Sequence, residues 1–166
     1  MSSRFAYLAL ALGIVLLDQV TKAIVIARIP LYRTIPVIRG FFDLTHLRNS
    51  GAAFGLLNSA DASIRPFLVL ALAVAVFAGV LVWSLRTPPG HHLLQIALAL
   101  IMGGAIGNLV DRIRFHSVTD FLRFYVDRWE WPSFNVADSA ISVGVILLAW
   151  DIWRRPEPGS ARPVRA

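Results

Sequence analysis

Seventeen consecutive apolar residues, Phe67 to Trp83, leave this chain few possible folds. Wound as a helix, a stretch rich in Ala, Val and Leu at that length reaches across a bilayer. Lipid offers no hydrogen bonds, so each spanning segment must satisfy its own backbone as a helix or close into a barrel. Hydrophobic residues make up 57% of the sequence and charged ones only 16%, against about half and a quarter in soluble domains. The composition fits lipid as the solvent.

Three other segments follow the same pattern. Phe5 to Leu17 is thirteen apolar residues, rising only about 20 Å, so a first span has to continue through Asp18 and Lys22 toward Ile29. A signal peptide would place small residues there; the charges predict an uncleaved helix instead. Leu93 to Val110, interrupted by Gln95 and Asn108, and Val136 to Trp153, framed by Asp138 and Asp151, complete four spans. Thr87-Pro88-Pro89-Gly90 makes a tight turn between the second and third. Gly103, Gly104 and Gly107 allow close helix packing. The reading is one domain over residues 1–153 with a Pro/Arg-rich tail, 154–166, expected to be disordered.

Four spans put both termini and the 86–92 turn on one side, and two longer loops, 30–65 and 111–135, on the other. Within those loops Phe41–Leu47 and Phe115–Phe124 alternate loosely between apolar and polar, predicting short strands on the membrane surface. Trp129 and Trp131 suit an interfacial belt. Arginines are denser on the terminus side, which favours cytoplasmic termini, whereas the raw count, six there against nine on the loop side, favours the opposite; density is the reading adopted. The net charge of +6 is scattered along segments flanking the apolar runs, favouring a membrane surface over nucleic acid as partner. With no cysteine, thiolate nucleophiles, thiolate metal sites and disulfides are excluded. No His-Glu-x-x-His or Gly-x-Ser-x-Gly motif is present.

The unusual polar residues gather on the loop side. Asp18 and Lys22 lie four apart with the acid first, the favourable order for a helix pair, and neither charge is tolerable alone in lipid. Arg48-Asn49-Ser50-Gly51 is a turn whose amide and guanidinium are suited to hold an extended peptide. Asn108 and Arg112 lie one turn apart at the end of the third span, and the loop-side arginines sit among acids that can pair with them locally. Asp120 falls in an apolar strand, and Asp138, after Asn135, opens the fourth helix. Two carboxylates meeting at the lipid boundary have their pKa values driven apart, leaving one acid and one base to activate water. A transporter lining its path with Asp18, Lys22, Asn108 and Arg112, or a binding factor using only its loops, is the competing class.

Taken together, these motifs resemble lipoprotein signal peptidase. Asp18-Gln19-x-x-Lys22, Asn49-x-Gly51-Ala52-Ala53-Phe54, Gly107-Asn108-x-x-Asp111-Arg112, Val118-x-Asp120-Phe121 and Phe134-Asn135-x-Ala137-Asp138 match the family's motifs in order. The resemblance implies an all-α membrane protein of four spans with a small extracytoplasmic β-element. It implies an aspartic endopeptidase in the bacterial cytoplasmic (inner) membrane, cutting on the amino side of a diacylglyceryl-modified cysteine. Asp120 and Asp138 would be catalytic, with no metal or cofactor. Asn49, Gly51, Asn108, Arg112 and Asn135 would bind substrate or orient the dyad beside Asp18 and Lys22. Prolipoprotein signal peptides, membrane lipid and globomycin-type inhibitors would be its partners. Nucleic acid would not, and a monomer is expected. Termini would lie inside and the aspartates near the outer face.

Overall fold

The computed structural model describes residues 2–51 and 64–154. Expectations for Ala52 to Phe54 and for the tail from residue 155 fall outside them. Four helices, α1 (Ser2–Arg28), α2 (Arg65–Arg86), α3 (His92–Phe115) and α4 (Val136–Arg154), are each long and apolar enough to cross a membrane. Between them lie strands β1 (Thr34–Ile38) and β2 (Phe42–Asn49), then β3 (Val118–Val126) and β4 (Trp129–Glu130). The chain is a mostly helical multi-pass membrane protein with one small antiparallel sheet, ordered β1-β2-β3-β4.

α3 is the central helix, packed by α1, α4 and α2, and it is mostly buried, whereas α2 exposes its whole length. Glycines set the close approaches. A Cβ on Gly103 would sit 2.7 Å from the Ala11 carbonyl oxygen, and one on Gly104 would collide with the Ala137 carbonyl oxygen and with Ile141. Backbone meets backbone there, which only a missing side chain permits. Gly104→Ala is therefore expected to push the first turn of α4 outward and cost about 1–3 kcal/mol. Gly79→Ala in α2, where nothing lies within 4 Å, should be neutral or slightly stabilising; thermal melts in detergent check both.

Gln95, which interrupts the third apolar run, is spent on α2: its Nε2 donates to the Ser84 carbonyl oxygen at 3.0 Å and its Oε1 accepts from Ser84 Oγ at 2.9 Å. Polar groups buried between spans are satisfied by each other.

Helix α3 runs five residues past the predicted end at Val110, through Asp111, Arg112 and Arg114. Charge did not mark its end because Asp111 is buried against α1. It stops at His116, whose left-handed backbone (φ 57°) returns its N–H to the Arg112 carbonyl oxygen at 2.9 Å. The following strand accordingly begins at Val118 rather than Phe115, and β2 covers Phe42–Asn49 rather than Phe41–Leu47. β1 was not foreseen, since Pro36 interrupts its β-branched run; proline is tolerated because β1 is an edge strand. One extra residue bulges β2 between Leu44 and Leu47, where Thr45 and His46 lie opposite the single residue Phe121 of β3. Beneath the sheet, Val25, Ile29 and Phe121 form an apolar cluster with Leu44, Leu122 and Val136, joining sheet to helices. Trp129 and Trp131 are exposed.

Candidate active site

Asn135 immediately precedes α4 and shapes the first turn of that helix. Its side-chain oxygen accepts the Asp138 N–H at 2.9 Å, while the Asp138 carboxylate accepts the Asn135 N–H at 3.3 Å. This reciprocal arrangement is a capping box with asparagine and aspartate in its two places. The Asn135 amide then points back into the protein, donating to Asp120 Oδ1 at 2.8 Å. One fully buried side chain thus binds both aspartates.

Each carboxylate has a second amide. Asn49 donates to Asp120 Oδ2 at 2.9 Å, and Asn108 donates to Asp138 Oδ1 at 2.7 Å. Asn49 is itself fixed by a turn in which its Oδ1 accepts the Gly51 N–H at 2.9 Å. Gly51 must have φ of +84°, and a Cβ there would press on Val69 at 3.1 Å, so two constraints select glycine. The bulge in β2 sets the register in which Leu47 faces Asp120 and Asn49 reaches its carboxylate diagonally.

Burial pushes the Asp120 carboxyl up from 3.8 to about 6; the Asn49 hydrogen bond opposes the rise, and the Asp138 charge adds to it. The folded chain therefore holds this proton more tightly than the unfolded one. The stability it confers is complete below pH 3.8 and disappears as pH rises through about 6, a change of about 3 kcal/mol for a side chain this buried. Asp120→Asn does not titrate. Its stability relative to the parent should improve by that amount between acid and neutral pH, measurable by denaturant unfolding in detergent.

Behind the dyad lies a charged network that sequence spacing showed only in part. Lys22 pairs with Asp18 at 2.8 Å as its spacing predicts, and also reaches Asn108 Oδ1 at 2.9 Å and Asp111 at 3.4 Å. Asp18 accepts the Ala137 N–H at 2.9 Å, placing negative charge at the positive end of α4. Asp111 accepts the Thr119 N–H at 2.8 Å and so ties α3 to the strand bearing Asp120. Gln19 bridges Asp18, the Gly107 carbonyl and Asp111. Gln19, Asp111 and Thr119 were not foreseen as supports. The available signal was that polar residues in helix ends facing lipid need partners.

The local acid–arginine pairing expected on the loop side holds for Arg123, which grips Glu130 through two 2.8 Å bonds and approaches Asp43 at 3.5 Å. It fails for Asp111, paired with lysine, and for Asp120, held by amides. Arg112 bonds its own helix at the Asn108 carbonyl, 3.3 Å away, while the charges of Asp138, Asp120 and Asp111 act on it. Beside Asp120 opens a groove of about 290 Å³, bounded by Leu47 to Ser50 on one side and Pro132 and Ser133 on the other. Arg48 borders it, braced by Thr119 at 3.0 Å and stacked 4.0 Å from the Phe115 ring. Asn108 and Asn135 are buried behind the two aspartates.

The sequence model of the family described as Signal peptidase (SPase) II matches residues 10–154. Similar curated relatives include the lipoprotein signal peptidase of Geobacter sulfurreducens, 51% identical over 88% of this chain and 90% of the relative. That of Nitratidesulfovibrio vulgaris is 48% identical over 91% of each. A solved bacterial membrane enzyme, determined by the in meso method at 2.3 Å, superimposes with a TM-score of 0.81 at 26% identity, covering 96% of this chain and 94% of the other.

Proposed function

Because the chain belongs to the signal peptidase II family, we propose that it is an aspartic endopeptidase releasing signal peptides from prolipoproteins. The scissile bond is the one on the amino side of a diacylglyceryl-modified cysteine. The observation that carries the aspartic reading is that Asn135 holds both carboxylates, Asp120 through its side-chain amide and Asp138 through its backbone N–H. Four amide or backbone donors hold the two carboxylates so that one unprotonated and one protonated group can face a single water.

In this mechanism the substrate backbone lies in the groove along Leu47 to Ser50, held by Arg48 and the Asn49 turn. One carboxylate takes a proton from water as its oxygen attacks the scissile carbonyl carbon, and the protonated partner donates a hydrogen bond to the carbonyl oxygen. The proton removed from water then passes to the departing amine nitrogen of the cysteine. The proton of the resting dyad belongs to the pair. Asn108, Asn135 and Arg112 orient the dyad, and Asp18 and Lys22 hold the first span behind it. No metal or cofactor enters, and globomycin-type inhibitors compete for the groove.

The arginine density of the terminus side favours cytoplasmic termini, with the sheet and the dyad at the outer face of the bacterial inner membrane. The enzyme works as a monomer. Incubating the purified protein with a lipid-modified pro-protein tests the reading: a free signal peptide and a mature protein beginning at the lipidated cysteine are expected. Binding without cleavage, or passage of a solute without cleavage, would overturn it.

A further inference from the structure

A second opening lies apart from the groove at Asp120, between the C-terminal third of α1 and the last turn of α3, with a volume of about 200 Å³. Its floor is polar. Gln19 and the Lys22–Asp111 pair line it, and that 3.4 Å pairing is the longest of the lysine's three contacts. Its wall is low, because Ala23 and Ala27 stand one turn apart on an exposed face of α1. At its mouth is Arg114, exposed on α3, with its guanidinium 5.0 Å from the Phe115 ring. Among the described residues no carboxylate pairs with Arg114.

An exposed face with an unneutralised guanidinium beside the apolar side chains of Ala23, Ile26 and Ala27 presents two chemistries together. A guanidinium matches a phosphodiester with two parallel hydrogen bonds. Alanines leave room for a hydrocarbon chain to lie against the helix where larger side chains would hold it off. We propose that this trough holds one anionic phospholipid, its phosphate on Arg114 and an acyl chain along Ala23 and Ala27. Anionic lipid is favoured because a zwitterionic headgroup brings its own ammonium toward the arginine. The bound lipid lies over the trough above the Lys22–Asp111 pair, which belongs to a network that ends, through Asn108, at Asp138.

The test uses the full-length protein, stripped of lipid in a neutral detergent. Phosphatidylglycerol, phosphatidylcholine and inorganic phosphate are titrated separately, with thermal midpoint and retained lipid by native mass spectrometry as readouts. Phosphatidylglycerol should raise the midpoint and remain as a single bound lipid, while phosphatidylcholine binds more weakly and inorganic phosphate does nothing. Arg114→Gln should weaken phosphatidylglycerol binding about tenfold, the loss of one charged hydrogen-bonded contact. Ala27→Trp should fill the trough and abolish binding, and Arg39→Gln, exposed on the β1–β2 turn, should leave it unchanged. Parent-like binding by Arg114→Gln overturns the proposal, even if Ala27→Trp fails to fold. So does equal weakening by Arg39→Gln, or a shift produced by inorganic phosphate alone. None of these readouts depends on cleavage, so the lipid site and the peptidase reading stand or fall separately.

Discussion

Asp120→Asn and Asp138→Asn are each expected to reduce turnover by at least about three orders of magnitude, with insertion and inhibitor binding retained. An amide keeps the shape of the carboxyl group but neither accepts a proton from water nor supplies the shared one. The double variant should be scarcely slower than either single one, because both groups act in one step. Single-turnover cleavage of a lipidated pro-protein, with globomycin binding as the check on folding, measures this. Asp43→Asn and Asp127→Asn are the controls, the first hydrogen-bonded to Tyr125 at 3.2 Å and the second on an exposed turn. Near-normal turnover in either dyad variant would remove the aspartic mechanism.

Lys22→Met should be the most destabilising single change in the helices. Lysine is the only cation touching Asp18 and Asp111 among the described residues, and all three are almost completely buried. Removing it leaves two carboxylates without compensation, for which about 3–5 kcal/mol is expected. Adding Asp18→Asn should recover part of that loss, and adding Asp111→Asn as well should recover more. Thermal unfolding in detergent across the series checks the order. Equal midpoints for the single, double and triple variants would show that the three side chains do not share charge.

The spans were legible because lipid imposes a length and a composition that no other fold needs. The ion pair of Asp18 and Lys22 was legible for a related reason: two charges four apart inside an apolar run have only each other nearby in sequence. Asp111 was not, since its partners come from α1 and β3, and its place after the apolar run made it resemble a loop residue. β1 was hidden by Pro36, and the β2 bulge by the absence of any glycine or proline to mark it. Asn135 was legible as a family motif residue, but its double grip was not. Spacing from Asn135 to Asp138 suggests a helix cap; only the fold shows that the free end of that same amide meets Asp120.

Asp138 is also the residue whose carboxylate completes the opening turn of α4. The group proposed to exchange a proton in every cycle is therefore one of the bonds that decides where a membrane span begins. A proton on Asp138 weakens its hold on the Asn135 N–H, and the slackened asparagine is the one that steadies Asp120. Asn135 is thus a hydrogen-bonded link between the two carboxylates, its N–H on Asp138 and its amide on Asp120. A variant that replaces Asn135 while leaving both acids in place would lose that link along with the cap.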